Sequence, residues 1–109
     1  MHELSIMQSV VNICEQNAAG NRVKVVTIEV GELSGVVPDA LEFCFEACTK
    51  GTQLEGARLV IDVIAPSANC KDCGAKFSVK SYYESCQECG SSAIEILSGE
   101  ELRVKELEV

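Results

Sequence analysis

An α+β fold is predicted for this chain: two helices packed on one face of a small three-stranded mixed sheet, with an inserted four-cysteine, zinc-ribbon-like module. Three observations predict it. Segments 4–19 and 38–49 repeat apolar residues at three- and four-residue spacing, the period of a helix with one buried face. Segments near 23–33, 57–65 and 101–108 are rich in β-branched and aliphatic residues, as strands are. Between the last two stand Cys70-Lys71-Asp72-Cys73-Gly74 and Cys86-Gln87-Glu88-Cys89-Gly90. Two thiol pairs so spaced are the pattern of a closed tetrahedral metal site.

The elements follow in order. Leu4, Met7, Val11, Cys14 and Ala18 form the apolar face of the first helix, widened by Ile6, Val10 and Ile13, and Gly20-Asn21 supplies a stop. Cys14 lies within that stripe and reads as a small buried hydrophobe. Val26, Ile28 and Val30 share one face of the first strand, and the turn-rich Gly31-Glu32-Leu33-Ser34-Gly35 follows. Pro38 suits a first helical turn, where its missing N–H would have no partner. The second helix runs from it to about Thr49 with a stripe of Leu41, Cys44, Phe45 and Cys48, so both cysteines are expected in the core. Arg58 to Ala65 is the second strand. Phe77 and Val79 suggest a short strand inside the cysteine module. Ile94 to Leu97 and Glu101 to Val109 read as strands, with a one-residue phase slip in the latter that fits a bulge or a strand covered on both faces. The expected division is 1–66 plus 93–109 as one α/β domain and 67–92 as the metal-binding domain.

Charge narrows the function. Nine basic residues against seventeen acidic ones give −8, a poor match for a phosphate backbone, so nucleic-acid binding is not expected. No apolar run nears the roughly 20 residues that span a bilayer, and Met1-His2-Glu3 does not look like the start of a signal peptide. Seven cysteines, four in metal-type spacing, suit a reducing compartment, so the expected location is the cytoplasm. One histidine, no nucleophile–base pair and no phosphate-binding glycine loop argue against an enzyme.

Two metals are read from the residues. Cys70, Cys73, Cys86 and Cys89 suit zinc, and iron in the same geometry shares the ligand set. Four thiolates saturate the ion, so it is expected to hold the fold rather than to catalyse. The second site is fainter. The Met1 amine, the His2 backbone nitrogen and the His2 imidazole can close fused chelate rings on one ion, with the Glu3 carboxylate adjacent. Amide nitrogen is a ligand for Ni(II) or Cu(II). The bland alternative is an ordinary solvated terminal histidine, and the chain would then be a zinc-ribbon interaction module with no transferable metal.

Met1-His2-Glu3-Leu4-Ser5 at the start, Val30-Gly31-Glu32-Leu33-Ser34 after the first strand, and the paired Cys70/Cys73 and Cys86/Cys89 together resemble the HypA/HybF family over essentially the whole chain. These are nickel metallochaperones of hydrogenase maturation. The resemblance implies His2 and Glu3 as nickel ligands and Cys70, Cys73, Cys86 and Cys89 as zinc ligands. It also implies delivery of Ni(II) to the [NiFe] hydrogenase large subunit with a HypB-type GTPase, and for some members a role with urease maturation proteins. A weak homodimer is also among the expected partners. Some members use an aspartate after the Gly-Glu turn as a further donor. The matching stretch here is Gly35-Val36-Val37-Pro38-Asp39, with Asp39 close by. Others carry a histidine beside a zinc cysteine that couples the two metals, and this chain lacks one.

Overall fold

The computed structural model describes residues 3–109 in two compact units, one of 3–29, 36–62 and 102–109, the other of 30–35 and 63–101. Helix α1 (Glu3–Ala18) opens the chain, strand β1 (Val25–Gly31) follows, and a 3-10 turn (Glu32–Ser34) leads to helix α2 (Pro38–Thr49). Strands β2 (Arg58–Ile64), β3 (Ser67–Cys70), β4 (Lys76–Ser78), β5 (Ile94–Ser98) and β6 (Leu102–Glu108) complete it. The first sheet has the order β2-β1-β6, the second β4-β3-β5.

The first sheet is mixed, as expected. The Lys24 N–H donates to Glu108 at one end of the β1–β6 pair and the Gly31 N–H to Glu101 at the other, so these strands run antiparallel. The Arg58 N–H donates to the Lys24 carbonyl, joining the beginnings of β1 and β2, which run parallel with α2 as the crossover. Helix α1 packs against both α2 and β6. Its buried face is Met7, Val10, Val11, Cys14 and Ala18, five of the eight residues the helical period selects; Leu4 and Ile13, expected on that face, are exposed at its margins, and Ile6 is half-buried. Leu41 and Phe45 of α2 and Val26 and Ile28 of β1 are buried in the same unit. Among the described residues no helix is long and apolar enough to cross a membrane.

Helix α2 starts where Pro38 stands and ends at Thr49. The Thr52 side chain then donates to the Thr49 carbonyl and accepts from the Leu54 N–H. That turn drives Leu54 into the core, fully buried, although it sits in a polar loop with no periodic signal. Cys44 and Cys48 depart from expectation. Helix α2 buries Leu41, Phe45 and Thr49, and the two thiols flank that stripe half-buried.

Cys14 is fully buried, and burial, then the charge of Glu15, push its thiol up to about 11 from 9.0. A thiol whose folded pKa lies above its unfolded one stabilises the fold fully below pH 9 and loses that contribution as pH rises through 11. The native chain is therefore expected to lose about 2 kcal/mol more than Cys14→Ala between pH 8 and pH 11, since each tenfold change in an acid constant is worth about 1.4 kcal/mol. Urea unfolding at four pH values measures it, and parallel curves for the two proteins would contradict the assignment.

Candidate metal centre

The cysteine centre is assembled by two turns of the same construction. Strand β3 delivers Cys70, whose N–H donates to the Ala75 carbonyl (2.8 Å) while its own carbonyl accepts from the Gly74 N–H (2.9 Å). In the second turn the Cys86 N–H donates to Ser91 (2.8 Å) and the Cys86 carbonyl accepts from Gly90 (2.9 Å). Gly74 and Gly90 have φ of 78° and 76°, a left-handed conformation costly for any residue with a Cβ. This is why a glycine follows each second cysteine. In each turn the second cysteine's N–H points back at the first sulfur, from Cys73 to Cys70 and from Cys89 to Cys86, both at 3.4 Å. The Glu88 N–H adds a further contact to the Cys86 sulfur at 3.3 Å.

The two turns bring their sulfurs together. Cys70 and Cys89 lie 3.6 Å apart, as do Cys73 and Cys86, and all four sulfurs fall within 4.8 Å of one another. These separations are far beyond a disulfide bond. They are close to the about 3.8 Å edge of a tetrahedron whose centre lies about 2.3 Å from each sulfur. The donor set therefore fits zinc. Cys70 and Cys86 are buried, while Cys73 and Cys89 reach the surface.

Electrostatics gives the same picture. The N–H of Cys73, opposed by desolvation and helped by that of Asp72, lowers the Cys70 thiol, and the N–H of Cys89 leads in bringing Cys86 down to about 7. Cys73 and Cys89 move the other way. N–H groups from Ala75 and Ser91 lower them, but sharing protons with Cys86 and Cys70, together with desolvation, outweighs this, and Cys89 rises to about 12. Four anionic sulfurs this close need a cation among them.

Contacts around the centre are not visible in the cysteine spacing. Ser91 donates to the Asp72 carboxylate, clasping one turn to the other, and the Lys71 N–H donates to Ala93 beside β5. Glu84 accepts the N–H groups of Lys80 and Ser81, and the Tyr82 hydroxyl donates to Glu100 (2.7 Å). An aspartate inside a knuckle and a serine just past the next one are too common to flag from sequence.

The second predicted site is placed only in part. His2 and Met1 lie outside the described residues. Glu3 is the first residue of α1, half-buried, where a carboxylate also favours the helix N-terminus. Asp39 is exposed in the first turn of α2. Among the described residues, the only group of three or more cysteine, histidine or carboxylate donors able to surround one ion is the cysteine tetrad.

Comparison with known proteins agrees over the full length. Residues 1–109 match the family described as hydrogenase/urease nickel incorporation, metallochaperone, hypA. The chain is 62% identical to the hydrogenase maturation factor HypA of Geotalea uraniireducens over 109 residues, covering 100% of this chain and 99% of that one. It is 61% identical to the HypA of Geobacter metallireducens, with the same coverage. The solution structure of the Ni metallochaperone HypA from Helicobacter pylori superposes with a TM-score of 0.68 at 28% identity, over 99% of this chain and 97% of that one. The chain thus belongs to the HypA family of nickel-incorporation metallochaperones for hydrogenase and urease, which are maturation factors rather than enzymes.

Proposed function

We propose that this protein carries Ni(II) as transferable cargo at its N-terminus and holds structural zinc at Cys70, Cys73, Cys86 and Cys89. Nickel is bound by His2 through its imidazole and backbone nitrogen, by the Met1 amine, and by the Glu3 carboxylate. The unit containing both helices is the nickel-binding domain, and the cysteine-bearing unit is the zinc domain. The match of the whole chain, residues 1–109, to the nickel-incorporation family carries this reading. Its chemistry is consistent with the role. Amide nitrogen with imidazole suits Ni(II), and the Glu3 carboxylate that opens α1 adds an adjacent oxygen donor. The recipient is the [NiFe] hydrogenase large subunit, reached with a HypB-type GTPase that supplies the energy this chain has no phosphate-binding loop to harvest. Urease maturation proteins are a further destination, and the cytoplasm is the place of action.

Nickel titration of the zinc-loaded, untagged protein tests the assignment. His2→Ala and a form with residues added before Met1 are both expected to bind nickel at least about 100-fold more weakly. Loss of a direct ligand should exceed the 10- to 100-fold effect typical of an outer-shell partner. Zinc content should stay the same in both. Equal nickel affinity in all three proteins would remove His2 and the terminal amine from the site.

A further inference from the structure

We propose that Cys44 and Cys48 form a two-coordinate site for a soft monovalent cation of the Cu(I) class, separate from the zinc and nickel sites. Both lie on α2, one helical turn apart. Neighbours at i and i+4 have Cβ atoms about 5–6 Å apart on the same face, a gap that two inclined Cβ–Sγ bonds can close onto one ion. Among the described residues no third cysteine, histidine or carboxylate joins them in a group able to hold an ion, and two thiolates suit Cu(I), whereas zinc takes four ligands and nickel favours nitrogen-rich planar sets.

Packing alone does not account for the pair. The residues α2 buries are Leu41, Phe45 and Thr49, and the cysteines are left half-buried beside them, while Cys14 of α1 is fully buried. Neither the Cys44 nor the Cys48 thiol has a hydrogen-bond partner among the described residues. Ala40 and Ala47, on adjacent turns of the same face, have no side chain long enough to cover the sulfurs. Cys48 opens onto a groove walled by Leu4, Gln8, Val11, Asn12, Glu15 and Thr52, which gives an ion or its carrier a way in. Binding replaces two S–H bonds with two S–Cu bonds and releases two protons, and copper stays in the +1 state.

The test is an anaerobic Cu(I) titration of the full zinc-loaded chain against a chromophoric Cu(I) chelator, with zinc release followed at the same time. One equivalent is expected to bind without displacing zinc, and X-ray absorption should show two sulfur ligands. Cys44→Ser and Cys48→Ala are each expected to weaken binding at least about 100-fold, while Cys14→Ala and His2→Ala leave it unchanged. Both α2 positions are half-buried, so zinc content and helical signal serve as the check that the variants fold. Overturning results would be a first equivalent that displaces zinc, one that binds equally to the Cys44→Ser/Cys48→Ala double variant, or one seen with three or four sulfurs. None of these outcomes bears on nickel at His2, which the nickel titration decides separately.

Discussion

Cys70→Ala is expected to lower zinc affinity at least about a thousandfold, about 4 kcal/mol at 1.4 kcal/mol per decade, and to loosen the chain from about 70 to 93. Cys70 is the more sensitive of the first pair. Its sulfur is fully buried, accepts the Cys73 N–H that shapes the turn, and lies 3.6 Å from Cys89 in the opposite turn. Removing it leaves three thiolates around an ion whose binding supplies much of the local folding free energy. Strand β4 has three residues and the second turn has no strand of its own, so little apolar burial remains to hold either in place. Cys73→Ala removes an exposed sulfur and should cost less. Zinc retention against a chelator measures the first effect and limited proteolysis the second, with new cuts expected between the two turns and α1 and α2 left intact. Stoichiometric zinc with an unchanged digestion pattern would contradict the role given to the tetrad. Acid should act in the same direction. The raised thiols Cys73 and Cys89 are protonated without metal at neutral pH, and Cys86 at about 7 takes up a proton as pH falls further, so zinc must displace at least two protons and its affinity should fall at least about 100-fold for each pH unit lost.

How legible these features are depends on whether the cause is local. Helix α2 is bounded in the sequence by Pro38 and, just past the last stripe residue Cys48, by Gly51 two residues after about Thr49, and the structure runs it from Pro38 to Thr49. The knuckles are equally local: four residues set each turn, and the glycine that follows relieves its one left-handed position. Strand β3 escapes a reading of the sequence because its order comes from partners far away. Ser67 to Cys70 offers almost no apolar alternation, yet it pairs with β4 on one side and β5 on the other. Leu54 illustrates the same limit, being buried by a threonine turn two residues earlier rather than by any period. The half-burial of Cys44 and Cys48 is hidden for a different reason. Spacing places a residue within a stripe, but only the packing of neighbouring elements decides how wide the stripe is. For His2 the sequence carries a few residues of chemistry and no periodic pattern, so its reading rests on the family match and on what imidazole and amide nitrogen can bind.

Gly31→Ala is expected to be the most damaging glycine-to-alanine change in the described part of this protein. Gly31 has an ordinary φ of −76°, which alanine adopts readily, so the constraint is space and not backbone freedom. A Cβ at this position would collide with the Gly99 carbonyl oxygen and carbon and lie 2.6 Å from the Glu100 nitrogen. All three are backbone atoms, which no rotamer change can move aside. The same approach is fixed by two hydrogen bonds of 2.7 Å, from the Gly31 N–H to Glu101 and from the Leu33 N–H to Gly99. Gly99 cannot retreat cheaply, because a Cβ built on it would lie 2.7 Å from Pro66 and its φ is 106°. Relief therefore requires opening the contact between segment 30–35 and residues 99–101, at a cost of at least about 3 kcal/mol, the upper range for overpacking. Gly20→Ala is the control. Its φ is 84° but nothing lies within 4 Å of the added atom, so only conformational strain of about 1 kcal/mol is expected. Urea unfolding compares the two, and hydrogen exchange should show the amides of residues 31 and 33 losing protection in the Gly31 variant. If both substitutions cost the same, the close backbone approach is not what fixes this position. If they differ as expected, the glycine of Val30-Gly31-Glu32-Leu33-Ser34 is set by the passage of one backbone against another, and needs no metal to explain it.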